Sequence, residues 1–369
     1  MASLGRLVHP PDRPPRDVTR MVGRRWYGPA MTVLRVPTTD YHTGGEPFRI
    51  VVDPPVDIPG TDVADRRSRA VEDAEVDGLR RLLCFEPRGH ADMYGGFLVP
   101  PDDEGAHLGV LFWHKDGFST ACGHGTIALG AWAVESGRVA APTDGVTDVV
   151  VDVPSGRVTA RVHTVGGRVD QVDFVNVPSY VVATGVEVPT TAYGTVLTDV
   201  VYGGALYAHL DVAGLGLDVE PASYGELIAL GREVKHALAD HPAARHPRDE
   251  RLSGIYGTIL FEDLGKLPEG PHQRNVTIFA DGEVDRSPCG SGTASRVASL
   301  AAAGVLGDGQ VLTHDSIVGS RFLARVLERT TADGFDAVVP SITGTAHLTG
   351  EHTFLVDPRD ELVPGFVLR

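Results

Sequence analysis

The sequence predicts an α+β fold in which a mostly antiparallel sheet wraps around one buried helix, with that unit made twice. Three observations carry this. The phrase Cys122-Gly123-His124-Gly125-Thr126 returns as Cys289-Gly290-Ser291-Gly292-Thr293, and each copy opens a run of small and apolar residues that stops at a glycine, Gly137 or Gly304. Most of the remaining chain consists of short β-rich runs punctuated by glycine. The run after the second cysteine, ASRVASLAAA, is small or apolar on nearly every face, as a buried helix requires.

From Thr32 the expected strands are TVLRV, FRIVV, DVVVDV, RVTARVH and RVDQVDFVNV. Pro-Ser-Gly and Gly-Gly turns join the last three as antiparallel hairpins. Between them IALGAWAVES forms the first post-cysteine helix. The second half repeats the style with TVLTDVVYGG, YAHLDV, GTILF, NVTIFAD, RFLARVL and DAVVP. A further helix is expected from Ser223 to Asp240, with Ser223 and Glu226 as a capping box. Its inner face is Leu227, Leu230, Val234 and Leu238, and His241-Pro242 ends it. No Pro/Ser linker separates the halves, so the boundary is placed near Asn176–Val188. This gives a first unit over residues 31–180, completed by the C-terminal strand at 345–369, and a second over 181–344. Residues 1–30 carry six arginines against two acids and the stretch HPPDRPPRD, and they read as a flexible N-terminal extension.

Composition narrows the function. A chain of 369 residues with 42% hydrophobic content and a mean hydropathy of −0.03 reads as a soluble globular protein of two ordinary domains. It has no apolar run of membrane-spanning length, so no membrane partner is expected. A net charge of −16 argues against nucleic acid as a partner, because such proteins present a basic face. Cys84, Cys122 and Cys289 make no disulfide framework, and working thiols suit a reducing compartment, most simply the cytoplasm.

The duplicated motif places a cysteine at the start of each of two helices. Unpaired backbone N–H groups and the positive end of the helix dipole favour thiolate there, so the expectation is a pKa lowered from about 8.5. The glycines let a ligand reach the backbone, whose N–H groups can grip an anion. Two facing copies therefore read as a pair of acid/base groups, one for each face of a small anionic substrate. The competing reading is a Gly-rich packing device with inert buried thiols.

These residues resemble the proline racemase family, which shares its fold with diaminopimelate epimerase. The resemblance extends through Asp40-Tyr41-His42-Thr43-Gly44-Gly45-Glu46-Pro47, Glu86-Pro87-Arg88-Gly89-His90-Ala91-Asp92-Met93-Tyr94-Gly95, Asn176-Val177-Pro178-Ser179, Tyr202-Gly203-Gly204 and Asp285-Arg286-Ser287-Pro288-Cys289-Gly290. It implies two pseudo-symmetric domains with the active site in the cleft between them. It also implies cofactor-independent inversion at the α-carbon of proline or a hydroxyproline as the small-molecule substrate. Residue by residue, Cys122 and Cys289 match the two catalytic cysteines. Gly123, His124, Gly290 and Ser291 match positions that hold the substrate, largely its carboxylate. Asp285 matches an acid near the ring nitrogen, with His124 close to the same region.

Proline racemases typically carry Cys-Gly-His-Asn, whereas Cys-Gly-His-Gly-Thr is closer to hydroxyproline 2-epimerases. The wider sequence, including Leu83-Cys84-Phe85-Glu86-Pro87-Arg88, Tyr256-Gly257-Thr258-Ile259-Leu260 and His347-Leu348-Thr349-Gly350, resembles trans-3-hydroxyproline dehydratases, which usually replace the second cysteine with threonine. Elimination needs no strong acid on the opposite face, so Cys289 favours epimerisation, of the 4-hydroxyproline 2-epimerase type, with dehydration as the alternative. Ala121, where the family often has methionine, slightly enlarges the expected pocket, and Tyr256 is a further candidate for its lining. No feature fixes the oligomeric state; a homodimer is compatible with the sequence.

Other clusters read as structural. Cys122-x-His124 lacks a partner pair at zinc spacing, so no metal is expected. His90 and Asp92 suit a turn, Cys84 a core position, and His314-Asp315-Ser316 lacks a nucleophile elbow. A cysteine hydrolase would leave the second motif unexplained, and a dead binding protein would not keep both motifs intact.

Overall fold

Period-two burial builds the strands. In the segment Gly156–Val165, for example, Val158, Ala160, Val162 and Thr164 are buried while their neighbours are not. The computed structural model describes residues 33–368, and the expected extension at 1–30 lies outside the described residues. The first half of the chain supplies β1 (Leu34–Thr43), β2 (Glu46–Val51), β3 (Gly95–Val99), β4 (Leu108–His114), β5 (Gly117–Phe118), β6 (Gly145–Val153), β7 (Gly156–Val165) and β8 (Arg168–Val175). The second supplies β9 (Ser179–Thr190), β10 (Gly194–Tyr202), β11 (Leu206–Asp211), β12 (Ile255–Leu267), β13 (Gly270–Phe279), β14 (Glu283–Asp285), β15 (Leu312–Ser316), β16 (Arg321–Ala332), β17 (Phe335–Gly344) and β18 (Ala346–Val356). The α-helices are α1 (Val63–Glu72), α2 (Ala74–Cys84), α3 (Gly123–Glu135), α4 (Tyr224–Ala237) and α5 (Gly290–Ala302).

One order of connections occurs twice. The hairpin β1–β2 leads through α1 and α2 to β3, parallel to β2. The hairpin β10–β11 leads through α4 to β12, parallel to β11. Each crossover is followed by an antiparallel partner, β4 or β13, and a short return strand, β5 or β14. A cysteine-headed helix comes next, then a strand parallel to that partner, β6 or β15, and an antiparallel meander. The C-terminal strand β18 returns to pair with β1, and β17 pairs with both β8 and β9, so the ladders curl into barrel-like walls. Helix α3 packs against β7 and β8, and α5 against β17 and β9. Both helices are buried along almost their whole length.

Two local expectations need correction. The Ser223 capping box does not form. Helix α4 follows a 3-10 turn at Pro221–Ser223, the Ser223 side chain makes no cap bond, and Glu226 accepts from the Tyr193 hydroxyl instead. The helix ends at Ala237, short of Asp240, but its predicted inner face is buried at Leu227, Leu230, Val234 and Leu238. Helices α1 and α2 were not anticipated, because their arginine- and acid-rich sequence hides a narrow apolar face. Their start signals are plain in retrospect: Asp62 accepts from Asp65 N and Asp73 from Glu75 N and Val76 N, ordinary aspartate N-caps.

The hairpin β1–β2 is anchored by one buried cation. Arg49 pairs with Asp40 at 2.8 Å and donates to the carbonyls of Leu83 (2.7 Å) and Arg88 (2.8 Å), tying the hairpin to the end of α2. Removing one member of a buried pair strands the other charge. Arg49→Met is therefore expected to lower the unfolding free energy by about 3–5 kcal/mol in denaturant melts.

Candidate active site

Helices α3 and α5 meet end to end at their N-termini. A Cβ on Gly123 would lie 2.5 Å from Gly290 Cα, and a Cβ on Gly290 equally close to Gly123 Cα, so only glycine fits at either position. Cys122 caps α3, its Sγ accepting the Gly125 N–H at 3.2 Å. Cys289 caps α5 with φ of 62°, a backbone state that non-glycine residues rarely adopt. Asp285 helps hold it there: its carboxylate accepts from Ser287 N (2.8 Å) and Ser287 Oγ (2.7 Å), and Ser287 Oγ accepts from Cys289 N (3.0 Å). The second glycine of each motif makes room for sulfur, since a Cβ would approach Cys122 Sγ to 2.8 Å at Gly125 and Cys289 Sγ to 2.9 Å at Gly292. The closing threonines fix the turns, Thr126 donating to Cys122 O and Thr293 to Pro288 O.

All seven residues singled out in the sequence gather here. His124 lies 3.5 Å from Cys122 Sγ through Nδ1 and 3.8 Å from Asp285, so it bridges the two motifs. Ser291 shares a 2.7 Å hydrogen bond with the Tyr207 hydroxyl, which is 4.0 Å from Cys289 Sγ. Gly123 and Gly290 form the floor. Tyr256 also faces the region, its hydroxyl 3.0 Å from that of Tyr94. Sequence reasoning missed Tyr94, Tyr207 and Ser119, and also Phe48, whose ring packs edge-on against the His124 imidazole at 5.9 Å. Tyr94 sat inside a quoted family block but carried no signal of its own.

The other clusters take structural places. Cys84 is buried and its thiol faces Met93 O at 3.2 Å. His90 accepts from Asp92 N within its turn, while Asp92 reaches across to Val284 N (3.1 Å) and Arg286 (3.4 Å). His314 bonds Thr293 and Asn275, Asp315 bonds His272 and Arg321, and Ser316 bonds Ser320, so these three side chains form no relay. Among the described residues, no group of His, Cys, Asp and Glu is arranged to hold a metal, and no helix is long and apolar enough to cross a membrane.

The electrostatics correct one expectation. Burial pushes both thiols up, Cys122 well above the ordinary value, and the nearby Asp285 charge adds to the effect. The Gly125 N–H opposes this at Cys122, but desolvation wins. Burial also lowers His124 to about 4. These shifts favour protonated thiols and a neutral imidazole beside the backbone donors of the two helix ends. Such a site suits a zwitterion: a carboxylate can take the helix N-termini, and an ammonium beside a sulfur would favour its thiolate. A cleft of about 420 Å³ opens beside it, lined from both halves of the chain by residues that include Ser119, Thr120, Ala205 and Tyr256.

Comparison with known proteins gives a consistent picture. Residues 38–367 match the family described as proline racemase. A 3-hydroxyproline 2-epimerase from Burkholderia multivorans is 45% identical over 334 residues, which is 90% of this chain and 98% of the relative. A trans-3-hydroxy-L-proline dehydratase from Azospirillum brasilense is 46% identical over 333 residues, again 90% of this chain and 98% of the relative. Among solved structures, a hydroxyproline epimerase from Agrobacterium vitis with bound trans-4-OH-L-proline superposes with a TM-score of 0.84 at 30% identity. The match covers 90% of this chain and 96% of that one.

Two outcomes follow from this geometry. Gly290→Ala must force the helix ends apart and is expected to cost roughly 1–3 kcal/mol of stability in denaturant melts. Gly225→Ala, whose added Cβ meets nothing within 4 Å, should cost none. The second outcome is acid lability. Burial lowers His124 to about 4, and His114 and His314 to about 3, against an ordinary value of 6.5. Depressed histidine values mean that the stability from keeping these rings neutral is whole above pH 6.5. It is lost as pH falls through the folded values. Urea midpoints should drop between pH 6.5 and about 3, and His314→Gln should flatten part of that drop.

Proposed function

The chain belongs to the proline racemase family of enzymes, and from that premise we propose that it inverts the α-carbon of a hydroxyproline without a cofactor. The observation that carries this is the pair of thiols capping two helices whose first glycines touch. In one direction the Cys122 thiolate takes the α-proton from one face while the Cys289 thiol gives its proton to the other. The reverse direction exchanges their roles. The backbone N–H groups around Gly123, His124, Gly290 and Ser291 hold the carboxylate and the charge that builds on it. Asp285, with His124 beside it, keeps the ring nitrogen protonated, which lowers the cost of removing the α-proton. The site then lies in the cleft between two pseudo-symmetric units, residues 31–180 with 345–369 and residues 181–344, working as thiols in the cytoplasm.

The names of the similar curated relatives move the preferred ring position from the 4-hydroxyl suggested by the Gly125-Thr126 continuation to the 3-hydroxyl. They also favour a second reading, dehydration of trans-3-hydroxy-L-proline. There Cys122 takes the α-proton, the C3–O bond breaks, and hydroxide leaves as water with a proton from the site. The unsaturated ring then tautomerises to an imine. The retained Cys289 supports inversion as the main reaction.

A proton NMR time course in D2O with 3-hydroxyproline, 4-hydroxyproline and proline tests both readings. Loss of the α-proton signal with formation of the inverted amino acid is expected, and a ring imine as sole product would establish the dehydratase. Cys289→Ser should abolish inversion while leaving exchange or elimination wherever Cys122 acts alone. Near-normal inversion by Cys289→Ala would end the two-thiol mechanism.

A further inference from the structure

The cleft wall contains a hydroxyl cluster that neither packing nor the two-thiol chemistry uses. Tyr94 and Ser119 share a hydrogen bond, and the Tyr94 and Tyr256 hydroxyls lie 3.0 Å apart. Tyr94 and Ser119 are almost fully buried, at 2% and 3% exposure. Around them the surfaces are aromatic: Phe279 stacks on Tyr256 with centroids 5.7 Å apart, and lies 5.8 Å from the Tyr94 ring. A phenylalanine at either tyrosine would make the same ring contacts, so the hydroxyls are surplus to packing.

We propose that Tyr94, Ser119 and Tyr256 form the recognition site for a ring hydroxyl on carbon 3 of the substrate, which makes them specificity-determining residues. The proposal rests on the epimerase reading above. Its first support is reach. The Tyr94 ring packs edge-on against the His124 imidazole with centroids 4.9 Å apart, and that imidazole lies 3.5 Å from the Cys122 sulfur. A sulfur poised for proton abstraction lies about 3–3.5 Å from the α-carbon. Carbon 3 is one C–C bond, about 1.5 Å, from that carbon. Carbon 4 lies a further bond away.

The second support is hydrogen-bond capacity. Each hydroxyl donates once and accepts twice. When Ser119 and Tyr256 donate to Tyr94, their own donors are used while both keep open lone pairs. Both residues line the cleft, so a guest hydroxyl entering there would find acceptors waiting. Proline leaves those acceptors unfilled.

Affinity in a protein that cannot turn over gives the cleanest test. In the Cys122→Ser/Cys289→Ser double variant, calorimetry with trans-3-hydroxy-L-proline, trans-4-hydroxy-L-proline and L-proline should show the 3-hydroxy compound binding most tightly. Adding Tyr94→Phe or Tyr256→Phe should cut its advantage over proline by roughly 5- to 100-fold. The ratio of 4-hydroxyproline to proline should stay put. The same ratios are read as kcat/KM in the active enzyme. An equal loss for all three ligands, or no advantage for 3-hydroxyproline at the outset, overturns the assignment. If the unaltered protein exchanges no α-proton from any of the three, the epimerase reading itself fails. Exchange with an unchanged ligand preference in Tyr94→Phe removes the hydroxyl site alone.

Discussion

Two helix N-termini can touch only where neither carries a side chain, and the contact between Gly123 and Gly290 is the constraint on which this structure depends. It brings together two ends of like partial charge, an arrangement that disfavours itself. What holds it is burial: α3 and α5 are enclosed by strands along nearly their whole length, and neither can withdraw without opening a core. The result is a set of backbone donors converging from two helix ends. Such a convergence of donors is suited to an anion.

The same enclosure decides the state of the thiols. A helix end alone would lower a cysteine pKa, yet both sulfurs here are driven up, because removal from water outweighs one N–H bond and the dipole. Burial therefore favours the protonated thiols, and a positive charge brought beside one of them would favour its thiolate.

The site was largely legible in the sequence because its chemistry is local. Cysteine, glycine and threonine within five positions specify a cap and a turn over short sequence distances, and the glycines permit the close approach that joins the two motifs. The repeated motif also announced the two buried helices, since their apolar runs are continuous. What was not legible depends on distant pairing. Tyr94, Ser119 and Tyr256 converge only through the register of β3, β4 and β12, and Tyr207 reaches Ser291 across more than eighty positions. Ser223 looked like a cap because the sequence could not show the 3-10 turn at Pro221–Ser223 ahead of it or the tyrosine that takes Glu226. The cysteine pKa reversal has the same origin, as depth of burial is a property of the assembled fold.

The two halves share one order of connections but differ around their cysteines, Cys122 having φ −155° and accepting from Gly125 N while Cys289 has φ 62° and no side-chain cap bond. Beside Cys122 stands the His124 imidazole, with Tyr94 packed against that ring, both from the first half. Beside Cys289 stand the Ser291–Tyr207 pair and the Asp285–Ser287 arm from the second. Inversion alone asks only for two thiols in opposite protonation states and does not by itself call for such different surroundings. A ring that carries its own hydroxyl is different, because inversion converts one diastereomer into another and the two faces are then chemically distinct. On the proposed reading, the paired helix caps would supply proton transfer from either side, and the differing residues around them would hold the ring in one orientation, so that both thiols act on a single carbon.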